Sequence, residues 1–252
     1  MDDVKFSTPP LNEVVLGVVF NAPDFSSVHF GLYWEEIRER FPAKPVDNPV
    51  LGGEMLNFFI PPLRRVWFES GDKKELVQLQ SDRFHFNWRR QDTADSYPRF
   101  VQIYPRFLDE WNRFRQWYVD NVGLLIPVQY ELTYINHINK DFGWETPADH
   151  QSVLTFAGKD WKGFLGTPES YIFALQFPLP NNSGSLNVSG NQGFKTSNQD
   201  SAQELLMLLE MTARSSGADP DLDDWFKEAH KYIVDSFLDL TQSSIHKKWG
   251  LL

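Results

Sequence analysis

The sequence predicts an α+β protein in which curved antiparallel sheets pack on long helices. Several stretches carry apolar residues every three or four positions, as helices with one buried face do. Between them lie short β-branched or alternating polar and apolar segments, which are typical of antiparallel strands. The order strand, helix, several antiparallel strands and long helix occurs twice, which favours two tandem units at 1–123 and 124–252. We expect this internal duplication to pack as one compact domain of saddle or helix-grip shape.

The first predicted unit begins with a β-branched strand and ends with the clearest helix of the chain. Its elements are a strand at 13–20, a helix that Pro42 ends, short strands near 55–60, 64–70 and 75–89, and a helix at 98–122. The strand at 75–89 is long enough to bend near Ser81–Asp82. Pro105 lies early in the last helix, so it either kinks that helix or moves its start downstream.

The second predicted unit repeats this order. Its elements are a strand at 127–139, a weaker helix at 147–158, strands at 170–178 and 184–190, and a C-terminal helix at 221–248. The segment 203–213 fits two interpretations, because its place in the repeat favours a strand while its Leu, Met and Glu content favours a helix. Asp219–Pro220 suits the boundary before the last helix, whose first turn is acidic as the helix dipole prefers.

Composition restricts the class of protein. The chain has 252 residues, 41% of them hydrophobic and 15% aromatic, which is enough for a substantial core. It contains no cysteine, which excludes disulfides, cysteine-ligated metals and thiol catalysis. We find no secretory leader and no apolar run of about 20 residues, so we expect a cytoplasmic protein without a membrane partner. A net charge of -10 without a basic tail argues against nucleic acid as a partner.

Recognisable cofactor and metal motifs are absent from the sequence. The segment GNQGFKTS at 190–197 lacks the spacing of a phosphate-binding loop. The sequence has no paired-histidine zinc motif and no nucleophilic serine between two glycines. We therefore expect no cofactor and no metal site.

The stretch DRFHFNWRR at 82–90 is the main candidate for a functional site. In a strand, Phe84, Phe86 and Trp88 would face a helix, while the polar residues between them would face the other way. The strand at 127–139 alternates in the same manner. If the two strands are neighbours, one polar sheet face would collect Arg83, His85, Asn87, Arg89, Glu131 and His137. This face is either a binding surface for a small polar or anionic ligand, or a solvated face with opposite charges paired across strands.

Two further groups are secondary candidates. Arg99, Arg106 and Arg113 recur every seven residues on the long helix and could bind phosphates or an acidic partner. Glu110 lies four residues after Arg106 and three before Arg113, so intrahelical ion pairs are the competing interpretation. His230 lies at the edge of the apolar stripe of the C-terminal helix, where a packed, hydrogen-bonded histidine is the alternative to a base.

The chain also resembles a family of sporadically distributed, uncharacterised prokaryotic proteins. The matching segments, in chain order, are PPLNEVVLGVVF, HFGLYWEEIRERFP, LVQLQSDRFHFNWR, YPRF at 97–100, ELTYINHI at 131–138, EAHKYIVDSFLDL and HKKWG. The resemblance implies no reaction and transfers no catalytic role. The patchy distribution of the family implies an accessory or mobile system such as defence against phage.

The sequence leaves three functional expectations, of which the last is a purely structural subunit, recognisable by a large exposed aromatic patch. The first is a non-catalytic binding or interaction protein, with another protein, a second copy of the chain or a small polar ligand as its partner. The alternative is an enzyme that processes a nucleotide or nucleic acid, with His85, Glu131 and His137 as acid–base groups and arginines holding phosphate.

Overall fold

The computed structural model describes residues 4–47, 64–92, 95–158, 163–196, 203–218 and 221–252. Within these ranges the chain forms five α-helices and nine strands, a mixed α+β fold. The strands are β1 (Leu11–Asn21), β2 (Val46–Asp47), β3 (Val66–Glu69), β4 (Glu75–Leu79), β5 (Arg83–Arg89), β6 (Ile126–Ile138), β7 (Phe173–Pro178), β8 (Gly184–Thr196) and β9 (Gln203–Ser215). The helices are α1 (Ser27–Ile37), α2 (Phe100–Asn121), α3 (His150–Val153), α4 (Leu222–Leu240) and α5 (Ser243–Lys248).

The strands belong to one open sheet in the order β2-β3-β4-β5-β1-β6-β9-β8-β7. Antiparallel pairing links β2 to β5 in sequence order, and it also links β7, β8 and β9. The predicted α+β class is therefore confirmed. The tandem duplication and the saddle or helix-grip shape stay predictions. No helix among the described residues is both long enough and apolar enough to cross a membrane.

The chain divides into two compact units. The α2 unit consists of Val14–Glu131 with Gly217–Asp219, and the α4 unit consists of Met1–Glu13, Leu132–Ser216 and Pro220–Leu252. The predicted division between residues 123 and 124 stays a prediction.

An aromatic cluster on α2 forms the core of the α2 unit. Phe114 is fully buried, and its ring lies 5.2 Å from Phe84 of β5, 5.6 Å from Phe20 of β1 and 5.1 Å from Tyr33 of α1. Such aromatic pairs stabilise a core beyond the area that they bury. The cluster fixes which face of β1 and β5 packs against the helix.

The α4 unit joins both ends of the described chain. Phe6 forms an isolated antiparallel bridge with Leu251, and its ring lies 6.0 Å from Phe237 of α4. The N–H of Leu252 donates to the carbonyl oxygen of Lys5 at 2.8 Å. The N-terminal segment is therefore held by the last residues of the structure.

Several predicted elements have different boundaries in the structure. The predicted strand at 75–89 is two strands, β4 and β5, because residues 80–82 turn the chain between them. The helix predicted at 147–158 is one short 3₁₀ turn followed by the single turn α3. The long helix begins at Phe100 with Pro105 inside it, so the predicted later start is wrong. The strand predicted near 55–60 lies outside the described residues.

Pairing with other segments of the chain determines the structure at 203–213 and the end of the helix predicted at 221–248. Residues 203–213 lie in a strand, since β9 pairs with β8 over its whole length and buries residues such as Met207 and Met211. Tertiary pairing therefore overrides the helix propensity of Leu, Met and Glu. The predicted helix at 221–248 is interrupted, because Thr241 leaves the helix to form a bridge with Leu154.

Candidate functional site

The faces of β5 separate apolar from polar side chains as the alternation predicts. Phe84, Phe86 and Trp88 are all less than 5% exposed, and Phe84 contacts the rings of Trp111 and Phe114 on α2. This packing orients the alternate residues of β5 to the opposite face of the sheet. The polar face of β5 is therefore set by the aromatic core beneath it.

His85 and Glu131 form the centre of this polar face. Nε2 of His85 lies 3.1 Å from Oε2 of Glu131, and the two side chains are only 14% and 10% exposed. His85 belongs to β5 and Glu131 to β6, and β1 lies between these strands in the sheet. The hydrogen bond therefore crosses over the central strand β1.

Gly17 of β1 makes this crossing possible. A Cβ atom at residue 17 would lie 2.2 Å from Cδ2 and 2.7 Å from Nε2 of His85, so the imidazole occupies the space that a side chain would fill. A glycine inside a strand often marks such a close approach. Gly17 was not among the predicted site residues, although a single glycine in the β-branched run EVVLGVVF was the signal that could have revealed it.

Arg83 completes the arrangement, and we call Arg83, His85 and Glu131 the His85 cluster. Its guanidinium binds the carboxylate of Asp82 at 3.1 Å and lies 3.9 Å from Oε2 of Glu131. Burial alone would lower the pKa of Arg83, but the hydrogen bond with Asp82 and the charges of Asp82 and Glu131 raise it. Arg83 therefore stays cationic at the edge of the cluster, with a third of its side chain exposed.

The imidazole of His85 has one nitrogen available. When Nε2 carries the proton, it donates to Glu131, and Nδ1 of the neutral ring is then a hydrogen-bond acceptor. No hydrogen bond to Nδ1 occurs within the part of the chain that the structure describes. The cluster therefore presents one acceptor, Nδ1, beside one cationic donor, Arg83.

A chain of neutral hydrogen bonds lies next to the His85 cluster on β3, β4 and β5. Nε1 of Trp67 donates to Gln78 at 2.9 Å, and Nε2 of Gln78 donates to Asn87 at 2.8 Å. Gln78 is also the direct cross-strand partner of His85. Gln78 and Asn87 are buried, with exposures of 7% and 2%. Gln78, Asn87 and Glu131 are therefore buried, and this part of the polar face is not solvated. Polar side chains do pair across neighbouring strands, as that interpretation expected.

Arg89 lies at the far end of β5. Its guanidinium binds the carboxylate of Glu69 at 2.5 Å and lies 5.9 Å from the ring centroid of Trp67. Arg65 approaches the same ring at 5.5 Å. The side chain of Arg89 is thus committed to an ion pair and a cation–π contact.

The structure brings five of the six predicted residues into the α2 unit, in two groups. Arg83, His85 and Glu131 are in one group, while Asn87 and Arg89 are linked through Gln78, Trp67 and Glu69. His137 belongs to the α4 unit, where its backbone N–H donates to the carbonyl oxygen of Pro10 at 2.9 Å. Its role in the site stays a prediction.

The predicted pairing of Arg106 and Arg113 with Glu110 within α2 does not occur, since Arg106 and Glu110 bind residues outside this helix. Arg106 forms an ion pair with Glu75 of β4, and Glu110 accepts two hydrogen bonds from Arg40 at 2.8 and 3.1 Å. The predicted intrahelical pairing of Glu110 is therefore wrong, because the buried carboxylate faces the end of α1 instead. Arg99 precedes the first turn of α2 with φ of 74°, and Arg113 is exposed.

His230 and His246 are both hydrogen-bonded in the α4 unit. Nδ1 of His230 lies 2.7 Å from the hydroxyl of Tyr134, as expected for a packed boundary residue. His246 is 6% exposed and lies 2.7 Å from the hydroxyl of Thr241. Burial lowers the pKa of His246, so this side chain favours the neutral form.

The described residues contain no group of three or more histidine, cysteine or acidic side chains that could hold a metal ion. Comparisons with protein-family models, with curated proteins and with solved structures find no match for the chain.

Proposed function

We propose that the chain is a non-catalytic binding protein and that the His85 cluster binds a small polar ligand. The observation that carries the proposal is the half of the imidazole that faces away from Glu131. Nε2 of His85 is fixed by Glu131, while Nδ1 has no hydrogen bond with any described residue. A side chain held on a rigid strand by a second polar group is pre-organised for a ligand.

The charges of the cluster favour a neutral ligand over an anion. Arg83 is the guanidinium of the cluster, and it already binds the carboxylate of Asp82 and lies 3.9 Å from that of Glu131, so an anion would meet a cation that two carboxylates share. A ligand that donates to Nδ1 of His85 and accepts from Arg83 would satisfy both groups. The proposed ligand class is therefore a neutral molecule with adjacent donor and acceptor atoms.

Burial of the pair supports a role beyond stability. Removing a carboxylate from water is costly, and a buried polar pair stabilises a fold little compared with apolar residues of the same size. Glu131 is only 8% exposed, and its partner crosses a strand where a glycine is required. Stability of the sheet alone would not require a buried His85–Glu131 pair with a glycine between its strands.

Native mass spectrometry of the protein purified from its own host tests the proposal. We expect an added small mass on the wild type that Arg83→Ala loses and Arg106→Ala keeps. Arg106 is a matched control because it is an arginine of the same unit, exposed and paired with Glu75. A bare wild-type mass, or equal retention of the ligand by both variants, would contradict the proposal. If a protein co-purifies and no small mass is found, the partner is a protein and the small-ligand proposal is wrong.

A second candidate function is acid–base chemistry on a nucleotide or nucleic acid. The observation that favours it is the 3.1 Å contact between His85 and Glu131, since a carboxylate that orients an imidazole is a common catalytic pair. Hydrolysis of a nucleotide panel by wild type but not by His85→Gln would support it. The carboxylates of Asp82 and Glu131 beside Arg83 weigh against phosphate, so we rank this function second.

Three parts of the proposal rest on the sequence alone. A place in a mobile or phage-defence system follows only from the family resemblance. The internal duplication and the saddle or helix-grip shape follow only from the order of predicted elements. Assembly with another protein or a second copy follows only from the lack of a catalytic motif.

A further inference from the structure

A small groove in the α4 unit shares no residue with the His85 cluster. It has a volume of about 210 Å³ and lies between α4 and the turn that joins β7 to β8. This volume is below the roughly 300–1,000 Å³ of pockets for drug-sized ligands, so it suits a single functional group with a short stem.

The α4 side of the groove is one face of the helix. Trp225, Glu228, Ala229 and Tyr232 line it at spacings of three, four and seven residues, which places them on one face of an α-helix. Trp225 and Ala229 are each 2% exposed and form an apolar floor. Tyr232 is partly exposed at one end.

Two hydrogen bonds hold the walls of the groove together. The hydroxyl of Tyr232 donates to the carbonyl oxygen of Pro178 at 3.1 Å. Nε1 of Trp225 donates to the carbonyl oxygen of Ser183 at 3.4 Å. Pro178 precedes the turn at 179–183 and Ser183 is its last residue, so both aromatic rings are fixed against this turn.

The charge in the groove is a carboxylate. Glu228 is exposed on the rim and has no hydrogen bond or ion pair with any residue in the described ranges. Lys231, the cation of the rim, forms an ion pair with Asp235 one turn further along α4. The groove therefore combines a carboxylate that forms no ion pair with any described residue and two aromatic rings, a combination that attracts organic cations.

We propose that this groove binds a primary ammonium group on a short alkyl chain. The ammonium pairs with Glu228, and the methylene groups pack on Trp225, Ala229 and the ring of Tyr232. An anionic ligand would meet Glu228 unfavourably, and a neutral ligand of the same shape would lack the ion pair. The ammonium group belongs either to a free amine or to a lysine side chain of a polypeptide.

Titrations followed by NMR of the indole N–H signals test this site. The probes are n-butylammonium chloride as a free amine and N-acetyl-lysine N-methylamide as a lysine side chain, with n-butanol and sodium butyrate as matched neutral and anionic probes. The signal of Trp225 is assigned by its loss in Trp225→Phe. We expect a saturable shift of this signal with at least one of the two amines, and the amine that gives it identifies the source.

The variants Glu228→Gln and Asp239→Asn provide the decisive comparison. Both remove one exposed negative charge from α4, but Asp239 does not line the groove. We expect Glu228→Gln to weaken amine binding by about two- to fivefold, and Asp239→Asn to leave it unchanged. Circular dichroism confirms that both variants fold. The proposal is overturned if neither amine gives a saturable shift, if butyrate binds equally well, or if the two variants bind the amine alike.

Discussion

The space above Gly17 gives the sharpest test of the proposed site. In Gly17→Ala the new methyl group would lie 2.2 Å from Cδ2 of His85, well inside the contact distance of two carbon atoms. β1 is an interior strand of the sheet, so its backbone cannot move away without breaking pairs on both sides. The imidazole must therefore move, and the hydrogen bond with Glu131 is lost.

The magnitude follows from two opposing effects. Overpacking and the loss of a hydrogen bond to a buried carboxylate each cost about 1–3 kcal/mol in free energy of unfolding. Alanine recovers about 0.5–1 kcal/mol because it has less backbone entropy to lose than glycine. We expect Gly17→Ala to be destabilised by about 1–5 kcal/mol, measured by urea unfolding.

Matched controls separate the clash from the general effect of alanine. A Cβ at Gly31 of α1 would meet no atom within 4 Å, so Gly31→Ala should gain about 0.5–1 kcal/mol. In the background of His85→Ala the clash is absent, so Gly17→Ala should there be neutral or stabilising. An equal loss of stability in both backgrounds would refute the proposed contact between Gly17 and His85.

Three further predictions concern other ion pairs and histidines. Glu110→Gln should lose about 1–3 kcal/mol of unfolding free energy in urea, since it removes the negative charge and one of the two oxygens that accept hydrogen bonds from Arg40; a loss no greater than that of an exposed surface variant would contradict it. Arg106→Ala should change stability by less than about 0.5 kcal/mol in the same assay, because its ion pair is exposed; a larger loss would show a structural role. Burial lowers the folded-state pKa of His246 and of His150, so the unfolded state binds more protons below about pH 6.5 and stability should fall as pH drops. His246→Asn should make this fall shallower in urea unfolding at several pH values, and an unchanged slope would contradict the assignment.

Local patterns in the sequence predicted the faces of individual elements. Alternation in RFHFNWR separated Phe84 and Phe86 from His85, because side chains of a strand alternate whatever the strand packs against. Helical spacing likewise predicted the buried face of α2. The same periodicity could not predict where a strand turns, so β4 and β5 were expected as one element.

Local sequence patterns could not predict contacts between residues that are distant in the sequence. Glu110 has arginines at helical spacing in its own helix, yet it binds Arg40, which lies 70 residues earlier. Partner choice of this kind depends on how α1 meets α2, and no spacing within α2 contains that information. The pairing of His85 with Glu131 was within reach of the sequence, but the need for Gly17 between them depends on the order of strands in the sheet.

The bridge between Phe6 and Leu251 has a consequence for the order of folding. Lys5, Phe6 and Leu252 meet only after about 245 intervening residues have been made, and contacts of such long sequence separation form slowly. During synthesis, Phe6 cannot form its native bridge until Leu251 has been made. The ring of Phe6 also has its native contacts with Phe237 and Trp249, so this part of the α4 unit is completed only at the end of translation of residues 5–252.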